Sequence, residues 1–182
     1  MGAEHDSAEE IRVAHRVLCR PLPDGPEVML LDARAQGAEE PPLRAAARQI
    51  TASKHRPFSS RSYRCPYALL AFHDQPVGVD IERVTHVDER FARSICTPAE
   101  VLALPPAHEL DLYVTSMWCS KEALTKGLGD AVRYDPRRVE APMLWAGGRA
   151  GAWRAAELQG PPGHVLWLCW RERRQPASRD GS

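Results

Sequence analysis

The chain has 182 residues, 43% hydrophobic and 26% charged, with 24 basic residues against 24 acidic ones. That length suits one domain or two small packed halves, and that balance excludes a disordered polyelectrolyte. The zero net charge argues against a nucleic-acid partner. No apolar run reaches the ~20 residues of a membrane helix, and the acidic first ten residues are unlike a signal peptide, so a cytoplasmic protein is expected.

Residues 13–19 and 27–31 read as strands on either side of the turn-rich Pro21-Leu-Pro-Asp-Gly-Pro26. Residues 43–50 read as a short helix behind Pro41 and Pro42, followed by a polar turn over 51–57. An apolar run of strand length occupies 67–72, a turn 73–76, and an alternating stretch 77–82. The pair reads as a β-hairpin that buries Val77, Val79 and Ile81 on one face and carries Gly78, Asp80 and Glu82 on the other. A helix over 88–94 precedes Thr97-Pro-Ala-Glu100, a capping box with proline at the first helical position, and Pro105 and Pro106 stop the helix it starts. The longest helix spans 108–128. Leu110, Val114, Met117, Leu124 and Leu128 form its core stripe, and Gly127 and Gly129 end it. Strands are expected at 132–134, 152–156 and 165–170.

Cys19, Cys65, Cys96, Cys119 and Cys169 are odd in number and scattered, which reads as reduced thiols rather than a disulfide frame or a zinc site. His73 and His86 have no paired nucleophile and read as surface residues, while Trp145, Trp153, Trp167 and Trp170 read as packing residues. Only Lys54, Lys121 and Lys126 are lysines, and asparagine is absent. This is the composition of a GC-rich coding sequence, in which lysine persists where a compact ammonium is needed in place of a planar guanidinium.

Residues i and i+2 of a strand point the same way about 7 Å apart, so Asp80 and Glu82 share a face. Gly78 beside them leaves a bare position where a ligand can approach the backbone. Such a pair suits a hard cation such as Mg²⁺, and its plainer reading is a solvated strand edge. On the long helix Trp118, Glu122 and Lys126 fall at i, i+4 and i+8. The plain reading there is a packing aromatic and a Glu–Lys pair worth about 0.2–0.5 kcal/mol. It leaves unexplained why two of the three lysines lie in this one segment.

Val77-Gly-Val-Asp-Ile-Glu82, followed by Trp118-x-x-Lys-Glu-x-x-x-Lys126, resembles the two signature motifs of the 4′-phosphopantetheinyl transferases. Lys54-His-Arg-Pro57 looks like that family's Gly-Lys-Pro turn, and Phe58-Ser-Ser-Arg-Ser62 stands where it has a Ser-His-Ser segment. Residues 91–100 match the helix linking the motifs, and Lys126-Gly-Leu-Gly129 resembles the Lys-Ala-Leu-Gly close. The resemblance covers roughly residues 50–170. It implies an α+β fold of two similar halves, with short antiparallel sheets packed on a long helix. The halves are 1–76, shorter than in the surfactin-type enzymes, and 77–172, which carries both motifs; a disordered tail at 173–182 is expected after them.

The resemblance also implies an activity: transfer of the 4′-phosphopantetheine arm of coenzyme A to a serine of an apo acyl or peptidyl carrier protein, with release of 3′,5′-ADP. Asp80, Glu82 and Glu122 would hold Mg²⁺, with Mn²⁺ the other candidate, and Glu122 would be the base. Lys126 would stabilise leaving-group oxygens and Lys121 would meet a coenzyme A phosphate in the same cleft as Arg61. Arg61, at the family's histidine position, would grip the 3′-phosphate with Lys54 and Arg56, and Ser62 belongs to the same coenzyme A segment. A monomer or small homo-oligomer is expected. Two other readings stay open: a non-catalytic relative that binds carrier protein or coenzyme A, and a metal-dependent phosphohydrolase.

Overall fold

A computed structural model describes residues 14–17, 25–36, 39–130 and 133–173. In chain order it contains β1 (Ala14–Val17), β2 (Glu27–Asp32), α1 (Glu40–Ser53), β3 (Phe58–Arg64), β4 (Tyr67–His73) and β5 (Val77–Arg83). There follow α2 (Glu89–Ile95), α3 (Pro98–Leu102), α4 (Ala107–Leu128), β6 (Arg149–Ala150), β7 (Trp153–Leu158) and β8 (His164–Arg171). The class is α+β, with two four-stranded antiparallel sheets, ordered β1-β2-β4-β3 and β5-β8-β7-β6, and one long helix. Val13, Val132, Cys19 and residues 174–182 of the expected strands, thiols and tail lie outside the described residues.

The apolar pattern of each strand shows what covers it. Val28, Leu30, Leu69 and Ala71 of the first sheet share one core with Val77, Val79, Ile81, Leu166 and Leu168 of the second. The other face of the first sheet packs Met29, Leu31, Leu70 and Phe72 against Leu43 and Ala47 of α1. On the far side of the second sheet, Cys119, Ala123 and Leu124 of α4 pack on Ala155, Val165, Trp167 and Cys169. Strand β4 is thus covered on both faces and buried at all seven positions, which is why it reads as a continuous apolar run.

The expected hairpin of 67–72 with 77–82 does not form. The bend after β4 is a crossing between sheets, and the hairpin partner of β4 is β3, from Phe58↔His73 to Arg64↔Tyr67. Strand β3 lacks an apolar pattern because its buried positions are serines. Ser60 Oγ accepts a 3.1 Å bond from the Val79 amide, and Ser62 is bonded to a β5 side chain, so hydroxyls satisfy polar groups at this edge that methyl groups could not. Helix α1 is longer than expected, with Pro41 and Pro42 in its first turn, where their missing amide costs no bond. The turn after it shrinks to 54–57, and 133–134 is a turn and no strand. His73 is buried, because β4 continues through it, whereas His86 is exposed. Leu128, expected in the core stripe, is 53% exposed at the end of α4, one residue before the left-handed Gly129.

Gly78 has a different use from the one its spacing suggests. A Cβ there would lie 1.9 Å from the Ala123 carbonyl oxygen and 2.5 Å from the Gly127 amide nitrogen, so helix backbone fills the bare position and no ligand space remains. The glycine lets α4 lie directly on β5. Gly78→Ala should therefore lower stability by about 1–3 kcal/mol, as overpacking does. An unchanged urea midpoint would contradict this close approach.

Candidate active site

Because Val77, Val79 and Ile81 face the inter-sheet core, Asp80 and Glu82 project toward α4. Helix α4 meets them with Glu122 and Lys126, one turn apart. Asp80 is 2% exposed, a burial that a carboxylate tolerates only when paired. Its Oδ1 accepts 2.6 Å bonds from Ser62 Oγ and from Lys126 Nζ, and the ammonium also donates to Ser62 Oγ at 3.2 Å. Its Oδ2 is buried without a hydrogen-bond partner.

Glu122 completes the cluster. Its Oε1 accepts a 2.5 Å bond from the Tyr134 hydroxyl. Burial pushes the Glu122 carboxyl above its usual range and the Asp80 charge adds to this, while the Tyr134 bond and Lys126 pull it back in part. Tyr134 went unnoticed in the sequence, where it sat in an expected strand. Its phenol is pushed up by burial and by the bond to Glu122, so it stays a donor at neutral pH.

Glu82 does not join them. Its carboxylate is ion-paired with Arg64 on the wall of a cleft of about 340 Å³, lined also by Arg83, Phe91, Thr115 and Trp118. Among the described residues no three Asp, Glu, His or Cys side chains converge on one metal position. Of the three expected acids the structure thus brings two face to face and turns the third onto arginine. A divalent cation fits those two: Asp80 has an orphaned buried oxygen, and the like charges of Asp80 and Glu122 are a repulsion a cation relieves.

The residues expected to bind a nucleotide are placed elsewhere. Lys121 is fully buried, and its ammonium donates to Ile95 O at 2.7 Å, Glu100 Oε2 at 2.6 Å and Pro136 O at 2.9 Å. With all three protons used it offers nothing to a phosphate. Glu100, read from the sequence only as a capping residue, is its buried counter-ion. Ser62 is buried, and its hydroxyl is spent on Asp80. Arg61 alternates with Ser60 and Ser62 and pairs with Leu70, so it is exposed on the face that carries α1, away from Asp80. It shares no cleft with Lys121. Lys54 is ion-paired with Glu27, and Arg56 with Asp74 at 2.7 Å. Every lysine in the chain therefore serves an ion pair.

Comparison with protein-family models matches residues 76–172, just over half of the chain, to the family described as ACPS, the 4′-phosphopantetheinyl transferase superfamily. A search among curated proteins returns no match. Among the described residues, no helix is long and apolar enough to cross a membrane.

Proposed function

Because the chain belongs to the 4′-phosphopantetheinyl transferase superfamily, we propose that it transfers the phosphopantetheine arm of coenzyme A to a serine of an apo acyl or peptidyl carrier protein. The observation that carries this reading is the buried cluster of Asp80, Lys126 and Ser62 beside Glu122. Both signature segments meet in it, and it combines an unpaired carboxylate oxygen, a second acid of raised pKa and an ammonium.

Mg²⁺ or Mn²⁺ held by Asp80 and Glu122 would neutralise charge on the coenzyme A pyrophosphate. The residues themselves do the rest. Glu122 takes the proton of the carrier serine, and its raised pKa makes it a better acceptor than an ordinary carboxylate. The serine oxygen bonds to the phosphorus of the arm as the bond to 3′,5′-ADP breaks, and the leaving phosphate keeps the electron pair. Lys126, 22% exposed, steadies those oxygens, while Ser62 holds Asp80 in place. The cleft that holds Glu82 is lined by Arg64 and Arg83 as well as Phe91 and Trp118, a mixture that suits the anionic and apolar parts of the substrates. Arg61, Lys54 and Arg56 have no part in this scheme.

Lys126→Arg keeps the charge but replaces a compact ammonium, seated between Asp80 and Ser62, with a broader planar group. Transfer should slow at least about tenfold, toward the 10²–10³ typical of losing such a donor, with melting unchanged. Wild-type turnover would remove Lys126 from the mechanism.

The reading is tested by incubating the protein with Mg²⁺, coenzyme A labelled with a fluorophore on its thiol, and apo carriers of fatty-acid, polyketide and peptide assembly. One carrier should become a fluorescent band on a gel. The Arg64–Glu82 pair, which keeps the third acid off the site, favours a second reading, a relative that binds these partners without turnover. Binding of coenzyme A with no labelled carrier would select it.

A further inference from the structure

Two neighbouring residues of α4 point to different sides of the helix, yet both are tied to the same short segment. Glu122 accepts from the Tyr134 hydroxyl at 2.5 Å, and Lys121, fully buried behind it, donates to Pro136 O at 2.9 Å. Between them Asp135 accepts from the Arg137 amide at 3.0 Å and caps the turn Pro136–Arg138, which fixes the backbone that carries Tyr134. The anchor is firm. The Lys121 ammonium is held in addition by Ile95 O and Glu100 Oε2, and Glu100 also accepts from the Ala141 amide at 2.8 Å. Tyr134 thus approaches Glu122 from a segment held in place independently of that bond.

We propose that Tyr134 is the positioning residue of Glu122, its hydroxyl fixing the rotation of the carboxylate through Oε1 and leaving Oε2 to work. A carboxylate on a long side chain beside Asp80 would otherwise rotate away from the like charge. Partners that orient an acting acid in this way typically matter about 10–100-fold. The assignment rests on the proposed transfer reading and adds to it a residue from outside both signature segments.

Tyr134→Phe removes the hydroxyl and keeps the ring; Tyr134→Ala also removes the packing of the segment. The expected result is a kcat for carrier loading about tenfold lower in Tyr134→Phe, with KM for coenzyme A and melting near wild type. A purely structural tether gives wild-type kcat in Tyr134→Phe and a loss only in Tyr134→Ala, and that outcome overturns the proposal. A second readout needs no turnover: titration with Mn²⁺ alone, followed by electron paramagnetic resonance. Tyr134→Phe should bind about tenfold more weakly than wild type. If the wild type loads no carrier, the transfer reading fails and the Mn²⁺ arm decides by itself. Weaker binding by the variant then supports the positioning role, and equal binding, or none by either protein, overturns it.

Discussion

Lys121→Met is expected to destabilise the protein by about 3–5 kcal/mol, the range for removing one partner of a buried ion pair. The loss is that large because Glu100 would stay buried, 3% exposed, with only the Thr97 and Ala141 amides to hold its charge. The carbonyls of Ile95 and Pro136 would lose their donor as well. Urea midpoints measure it, and a loss under about 1 kcal/mol, the size of a surface pair, would contradict the buried geometry. Acid titration gives an independent reading. Burial pushes the Glu100 carboxyl up, but the bonds from Lys121, Thr97 and Ala141 outweigh it and hold the group below its ordinary 4.5. A depressed carboxylate contributes fully above that value and loses its contribution as pH falls through the lower folded one. Stability should therefore fall in acid below about 4.5. The fall should be shallower in Glu100→Gln.

Asp80→Asn is expected to lower carrier loading by on the order of 10²–10³ while the fold survives. The amide keeps the carboxylate's shape and an oxygen for Ser62 and Lys126, so the packing around it is retained. Two things go: the charge that pairs with Lys126 and the orphaned oxygen that suits a cation. Lys126 is 22% exposed and can rehydrate, which limits the cost to stability. Loading rate and melting temperature, measured on the same preparation, separate the two effects. An Asp80→Asn protein that loads carriers at the wild-type rate would remove this carboxylate from the site.

The elements legible in the sequence were those with strong local chemistry. The capping box formed as written, with Thr97 and Glu100 bonding each other's amides, because both halves of that motif lie within one turn. Helix α4 and the alternation of β5 were equally plain, whereas the meeting of Asp80, Glu122 and Lys126 was implied only by the family resemblance. Strand β3 was not, since serines bonded to β5 bury an edge without leaving an apolar pattern. The turn at 73–76 looked like a hairpin because four turn-forming residues after an apolar run do not reveal that the next strand joins a different sheet.

For two residues, spacing alone separates what the motifs place together. Five residues at 3.6 per turn put Lys121 and Lys126 about 140° apart around α4, too far to face one cleft. One lysine is buried against Glu100 and the other lies on Asp80. Likewise Arg61 stands between two serines on a strand, so if Ser62 meets Asp80, Arg61 cannot. Tyr134 and Glu100 carried no such signal. Each reaches its partner across a gap that only the tertiary fold closes.

The central claim is that the cluster of Asp80, Glu122 and Lys126 transfers phosphopantetheine, and the mass of the acceptor tests it most directly. An apo carrier protein is incubated with coenzyme A, Mg²⁺ and either the wild type or Asp80→Asn, and its intact mass is recorded. The account predicts a single phosphopantetheine adduct on the carrier serine with the wild type, at a rate far above that of the variant. A carrier that stays at its apo mass across a panel from fatty-acid, polyketide and peptide assembly, while the folded wild type binds coenzyme A, would contradict it.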